Sequence, residues 1–318
     1  AARGEGAHLL NAEGERFMQK YAPDYMELAS RDVVSRAEQT EINEGRGFDG
    51  NVLLDLTHLG REFIEHRLGY LQEVSVEFLG IDMAEKPVPV QPGMHYIMGG
   101  IKTTVDGATN VPGLYAAGEF ANVSVHGANR LGANSLLDTV VFGRRSAVHA
   151  LGYIKGVGPA SRAEEDLAPE KARLQALLDR PPGERIATVR DDMARGITKG
   201  IGVNRDQASM EGALENLVNI KSRLPGVSVE NKGKVFNTDL MFALELEFMV
   251  DCADSIVAGA LARKESRGAH YRTDMTERDD ENWLAHSIYD PKTKKLSKRD
   301  VNFAPKQVET FQPKVRTY

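Results

Sequence analysis

Between Val123 and Arg145 the chain reads VSVHGANRLGANSLLDTVVFGRR, a polar stretch of small residues that runs straight into an apolar one. A folding core alone does not require that mixture, so this segment restricts the architecture more than any other. His126, Asn129, Arg130, Asn134 and Ser135 gather hydrogen-bonding side chains within a short span. Gly127, Ala128, Gly132 and Ala133 carry little or no side chain, which lets the backbone approach a flat or anionic ligand closely. From Ser135 onward Leu136, Leu137, Val140, Val141 and Phe142 fall at mixed helical offsets and predict a buried helix whose N-terminus faces the polar segment. Unpaired N–H groups and the macrodipole make such an end attractive to anions. The plainer alternative is a glycine-containing turn capped by Asn134 or Ser135.

With 318 residues the chain has room for two or three domains and a sizeable core. Hydrophobic residues at 41% and charged residues at 27% describe an ordinary globular composition. A formal net charge of −6 leaves no basic footprint for nucleic acid, so no nucleic-acid partner is expected. Cys252 is the sole cysteine, which excludes an intrachain disulfide, a Cys-based zinc site and a Cys-ligated iron–sulfur cluster within this chain. No apolar run approaches the roughly 20 residues that span a bilayer, and the first residues lack the basic-then-apolar order of a signal peptide. Membrane attachment would therefore come through a partner.

The opening residues, AARGEGAHLLNAEGERFM, read as strand, turn and strand with Asn11 to Gly14 as the turn. The chain thus starts as the interior of a domain would, and upstream sequence is expected. Leu28 to Glu44 is predicted helical, with Ser30 as N-cap and Val33, Val34, Ala37 and Ile42 apolar. Arg31 falls in the first turn, where a cation is disfavoured. Either Asp32 or an upstream acid pairs with it, or its guanidinium points into a pocket to meet a carboxylate substrate. Leu59 to Val74 reads as an amphipathic helix with Phe63, Ile64, Leu68 and Leu71 on one side. Pro87, Pro89 and Pro92 enforce an extended approach to HYIMGG, His95 to Gly100, read as a strand and a glycine turn into a further strand, IKTTVDG. That setting makes His95 a candidate site residue. Val111 to Asn122 reads as a strand ending at Gly118 and Glu119, where an acid either accepts hydrogen bonds from a dinucleotide ribose or lies on the surface of a βα loop.

Gly152 to Pro169, with Gly156, Gly158 and Pro159, marks a boundary. Beyond it Glu170 to Leu178, Arg185 to Gly196, Ala208 to Leu224 and Asn237 to Arg263 read as helices of a small bundle, with Leu240, Met241, Leu244, Leu246, Phe248 and Met249 as its core stripe. Ser266 to Trp283 is dense in charge and is expected to form a solvated, salt-bridged surface connection. His286 to Tyr318 reads as short strands.

Taken in order, RDVVSR, HYIMGG, AAGEFA with VHGANRLGANSLLD, ESRGAHYRTD, RDDENW and the terminal PKVRTY resemble the flavoprotein subunits of succinate dehydrogenase and fumarate reductase. The resemblance runs from Arg3 to Tyr318 and corresponds to about the C-terminal half of such subunits. It implies a mixed α+β and α/β chain: part of a Rossmann-like FAD-binding domain with a capping domain, then a helical bundle and a small C-terminal domain. The implied boundaries are 1–94 for the C-terminal part of the capping domain, 95–158 for the returning segment of the FAD-binding domain, 159–265 for the helical domain and 266–318 for the C-terminal domain. The upstream half would hold the Gly-rich fingerprint for the FAD pyrophosphate, the histidine that carries FAD covalently, and a substrate-binding histidine with a threonine and glutamate.

By the same resemblance Arg31 is the proton shuttle, Arg3 belongs to the proton path, and His95 and Arg130 bind substrate carboxylates. Glu119 contacts the FAD ribose, Ser135 and Leu136 border the isoalloxazine through their backbone, and Tyr96 and Asn134 join the cofactor-binding set; no metal site is implied. Met94 stands where several relatives have a small or polar residue. The chemistry suits these types: succinate is a dianion, and a guanidinium grips a carboxylate with parallel hydrogen bonds. Arginine is normally always protonated, so Arg31 needs a relay in which another group takes a proton as it receives one. The implied activity is succinate:quinone oxidoreductase (complex II), which oxidises succinate to fumarate by hydride transfer to FAD. The implied partners are an iron–sulfur subunit and, through it, membrane anchor subunits, with the chain peripheral on the cytoplasmic face of a bacterial inner membrane or the mitochondrial matrix face. Fumarate reductase and L-aspartate oxidase share the fold, and the segments RGAHYR, RDDENW and RTY favour succinate dehydrogenase over both. A non-catalytic fragment or assembly module is the alternative of a different class.

Overall fold

Short strands and long helices alternate with irregular backbone, as the changing hydrophobic period predicts. The structure, a computed structural model, describes residues 2–158, 164–304, 307–311 and 313, and the side chains of these except 164–166. The expected edge at residue 159 and Lys314–Tyr318 of the terminal motif lie outside the described residues. The chain divides into two compact units, Ala1–His95 with Lys306–Tyr318, and Tyr96–Pro305.

In the first unit β1 (His8–Leu10), β2 (Val52–Asp55) and β3 (Val88–Val90) form an antiparallel sheet in that order. Pro89, which cannot donate to a ladder, sits on the edge strand β3. Helices α1 (Met18–Tyr21), α2 (Arg31–Asn43) and α3 (Arg61–Leu79) complete the unit. Leu9, Met18, Val34, Ala37 and Val52 form one core cluster, and Leu56, Ile64, Leu68 and Met83 another. The second strand expected after the Asn11 turn is absent. Asn11 Oδ1 accepts the N–H groups of Glu13 at 3.1 Å and Glu15 at 2.9 Å, and its amide donates to buried Glu41 at 3.1 Å; the chain then turns into α1. On α3 Ile64 and Leu68, one turn apart, take the buried face, and Phe63 beside them is exposed.

In the second unit β4 (Ile101–Lys102) and β5 (Ala121–Asn122) pair in parallel and are all that remains of the longer strands expected there. The approach is close: a Cβ on Gly100 would stand 2.3 Å from the Phe120 carbonyl oxygen. Helix α4 (Asn134–Gly156) and α5 (Glu164–Asp179) follow, with Gly152 and Gly156 inside the first and Pro169 inside the second. Then come β6 (Glu184–Arg185), α6 (Ile186–Ile201), α7 (Gln207–Arg223), β7 (Val227–Ser228) and α8 (Thr238–Ala262). Val189, Met193, Met210, Leu217, Leu246 and Val257 fill the bundle core. Of the expected stripe on α8 only Leu246 is fully buried; Leu240, Leu244 and Met249 pack at its margin, and Met241 and Phe248 are exposed. The short helix α9 (Asp280–Trp283) and the hairpin β8 (Ala285–Asp290) with β9 (Lys295–Asp300) close the unit.

Two further expectations are overturned. Helix α4 is not buried through its apolar face: Leu136 is 73% and Val140 70% exposed, whereas Asp138 and Ser146 are its buried residues. The described residues pack loops against that helix through polar positions, so apolar periodicity there does not report contact with this chain's core. The charged segment 266–283 is salt-bridged as expected and exposed from Thr273 to Arg278, but it is not solvated throughout. Arg272 is fully buried, as is Glu265 immediately before the segment, and Arg263 and Arg267 both pair with Glu265. Acids and arginines two residues apart meet across tight turns, which cancels the charge that would keep them in water.

Candidate functional site

The sequence after β5 turns sharply. Ser124, Gly127 and Ala133 all adopt positive φ, and Ala133, at φ 64°, is the N-cap of α4 without any side-chain cap bond. This geometry swings the HGANR segment back over the start of α4 and brings Tyr96, His126, Arg130 and Asp138 together. His126 Nε2 lies 3.1 Å from Asp138 Oδ2 and 3.1 Å from the Tyr96 hydroxyl, which also donates to Asp138 Oδ2 at 3.4 Å. A carboxylate only accepts, so Nε2 carries the hydrogen and donates to Asp138. Burial raises the Tyr96 pKa, and the charges of Asp138 and Glu119 push it the same way. The Arg130 guanidinium lies over the Tyr96 ring, 4.6 Å from its centroid, and one of its terminal nitrogens donates to the Leu131 carbonyl at 2.9 Å. Arg130 Nε, His126 Nδ1 and Asp138 Oδ1 are buried with no hydrogen-bond partner among the described residues.

The remaining residues of this unit fall around that cluster or near its supports. Glu119 Oε1 accepts the Ile97 N–H at 3.0 Å, which ties it to the segment carrying Tyr96. Asn134, Ser135 and Leu136 form the first turn of α4; the Asn134 N–H donates to Leu131 and the Leu136 N–H to Ala133, at 3.2 and 3.1 Å. A loop from far along the chain buttresses the segment from behind. The Ala269 N–H donates to the Ala128 carbonyl at 2.9 Å, and Gly268, at φ 58°, packs so closely that a Cβ there would stand 2.5 Å from the same oxygen. Within that loop His270 Nδ1 accepts from Arg205 at 2.9 Å, and burial first, then the Arg205 charge, lowers its pKa to about 4.

The first unit holds Arg3, Arg31 and His95. Arg31 opens α2. The Ser30 hydroxyl donates to Asp32 at 2.7 Å instead of capping the helix, and Asp32 pairs with Arg36 at 3.3 Å, so the expected Arg31–Asp32 pair does not form. Arg3 donates to the carbonyls of Glu27 at 2.6 Å and Ala29 at 3.4 Å, just ahead of Arg31. Burial lowers the Arg3 pKa from arginine's ordinary value, the Glu38 charge opposes that, and the Arg31 charge adds to it. Burial also raises the Glu27 carboxyl, but Arg16 and the Leu9 N–H outweigh it and the net shift is downward. His95 is exposed and forms no hydrogen bond among the described residues.

Glu38 and Asp138 were not singled out as site residues from the sequence, although acids within apolar helical runs were the available signal, and His126 was placed only among the donors of the 123–145 segment. Burial raises the Glu38 carboxyl to about 7 against the opposing Arg3 charge. An unfolded glutamate titrates near ~4.3. Between the two values the folded chain holds a proton that the unfolded chain releases, so this contribution to stability falls as pH rises toward neutrality. Glu38→Gln is expected to flatten that slope and to be more stable than wild type above neutral pH by roughly 1–3 kcal/mol. Denaturant unfolding at about pH 5 and about pH 8 checks it; identical slopes for both proteins would remove the assignment.

Comparison with known proteins agrees with the motifs. Residues 190–318 match the family described as fumarate reductase flavoprotein C-term, and residues 1–136 the family described as FAD binding domain. The succinate dehydrogenase flavoprotein subunit of Coxiella burnetii is 39% identical over 99% of this chain and 56% of its own length. The fumarate reductase flavoprotein subunit of Mycobacterium tuberculosis is 39% identical over the whole chain and 58% of its own length. The structure of E. coli quinol fumarate reductase FrdA carrying the E245Q mutation superposes with a TM-score of 0.88 at 36% identity, over 98% of this chain and 57% of that one. The chain thus spans just over half the length of these relatives. Motif order, fold and sequence identity agree: the chain belongs to the succinate dehydrogenase and fumarate reductase flavoprotein family.

Proposed function

We propose that this chain serves an FAD-dependent oxidoreductase that converts succinate to fumarate. One observation carries the reading: a guanidinium laid on a tyrosine ring, its Nε buried and unpaired, beside a helix start that no side chain caps. The same features fit a flavin, since unpaired buried donors and acceptors suit a flat, hydrogen-bonding cofactor. FAD, when bound, supplies a hydride acceptor.

The chain's own residues do the rest. Arg130 binds one carboxylate of the dianion, with His95 a further ligand, and orients the carbon–hydrogen bonds to be broken. Asn134, Ser135 and Leu136 offer the first turn of α4 to the flavin ring, Glu119 accepts from ribose, and Tyr96 walls the site. Arg31 takes the proton from the neighbouring carbon as it gives up its own to an accepting group of the proton path to which Arg3 belongs. Electrons leave through an iron–sulfur subunit attached to membrane anchors; the likeness to a quinol fumarate reductase supports those partners. Among the described residues no helix is long and apolar enough to cross a membrane, which suits a peripheral place on such a complex.

The test is flavin absorbance in the full-length complex. Bleaching by succinate and not by L-aspartate is expected. Bleaching by L-aspartate alone would make the protein an aspartate oxidase, and bleaching by neither would leave a non-catalytic module.

A further inference from the structure

Arg130 has no acidic partner among the described residues, although Asp138 stands one ring away. That separation needs a cause, because a buried carboxylate and a neighbouring guanidinium attract strongly. The cause is in the hydrogen bonding. His126 Nε2 and the Tyr96 hydroxyl both converge on Asp138 Oδ2, and both side chains of the His126–Asp138 pair are almost fully buried, at 5% and 2% exposure. One carboxylate oxygen, Oδ2, is thereby occupied by donors other than Arg130, and the guanidinium keeps its charge for a ligand.

The same bonds fix geometry. The Tyr96 hydroxyl is held at its tip, and the ring meets the His126 imidazole edge to face, with centroids 5.3 Å apart and an interplanar angle of 89°. A ring restrained at tip and edge presents one face, and Arg130 lies on that face. The other end of the guanidinium is tied to Leu131. We propose that Asp138 and His126 are positioning residues for the Arg130 guanidinium: through the Tyr96 ring they set its plane and keep it free of a protein counter-ion, so that it receives a dicarboxylate. Asp138 is the fixed point because it projects from α4, whereas His126 and Arg130 ride on the preceding loop. The inference rests on the reading of Arg130 as a carboxylate ligand.

Malonate, a dicarboxylate that cannot be dehydrogenated, tests it by calorimetric titration of the full-length flavin-loaded complex. In the wild-type background His126→Gln is expected to weaken malonate binding about tenfold, and in an Arg130→Lys background less than about twofold, because the two residues act as one unit. Flavin absorption and the unfolding midpoint should stay at the values of the matching parent. Tyr96→Phe, which keeps the ring and removes the hydroxyl, carries the same cycle if the His126 variant does not assemble. Equal weakening in both backgrounds, or none, would overturn the positioning role and leave the dicarboxylate reading standing. Failure of the wild-type complex to bind malonate would overturn both.

Discussion

Arg272→Met is expected to destabilise the chain by about 1 to 3 kcal/mol, the scale for leaving buried acceptors unpaired, because the Asp274 side chain keeps 32% of its surface in solvent. Arg272 is fully buried, and its guanidinium spends its donors on defined acceptors: Asp274 at 2.7 and 2.9 Å, the Arg263 carbonyl at 3.1 Å and the Gln207 side chain at 3.1 Å. Its own N–H donates to Ser266 Oγ at 2.8 Å. Asp274 in turn accepts the Gln207 N–H at the start of α7, so the pair joins the loop to the bundle. Methionine fills much of the volume but leaves those acceptors unpaired, and Arg272→Lys should recover only part of the loss, because an ammonium cannot reproduce the planar fork. Denaturant unfolding measures the difference; a loss below about 1 kcal/mol would place the pair among weak surface bridges. The pH dependence has a definite sign. Arg272 above all holds the Asp274 carboxyl down at about 2, below an unfolded aspartate, so its contribution is present at neutral pH and is lost as pH falls toward that value.

The largest effect on turnover is expected from Arg31→Lys. If Arg31 moves the proton, lysine keeps the charge but not the reach or the planar donor set, and turnover should fall by roughly 10²–10⁴-fold, the range for a positioned acid–base group. Malonate affinity should change little. A positive side chain at the first residue of α2 opposes the helix dipole, and Arg31 is exposed with no ion pair among the described residues, so stability does not account for it. Steady-state turnover beside malonate titration separates the outcomes; ordinary turnover in the lysine variant would end the assignment.

Much of this was legible before any coordinates. Helices α6 and α7 follow from period and punctuation, whereas the Asp206–Ser209 capping box that starts α7 emerges only in the structure. Motifs such as VHGANRLGANSLLD and ESRGAHYRTD pointed to the family because their residue types serve ligands and close packing as well as a core. Burial was less legible. Leu136 and Val140 are as apolar as any core residue, yet periodicity states which face is oily and not whether another surface meets it. Arg263, Glu265, Arg267 and Arg272 look solvated in a sequence because charge is counted there one residue at a time, whereas burial depends on pairing across turns. For the same reason the bonds of His126 to Asp138 and Tyr96, which span residues 96–138, could not be read from any one motif.

The contact between Gly268 and Ala128 bears on how such a protein can vary through time. A side chain at 268 would displace the Ala128 carbonyl, and Ala128 lies between His126 and Arg130. A substitution in the loop after the bundle is therefore also felt by the backbone that carries His126 and Arg130, and the two segments, distant in sequence, are tied to change together.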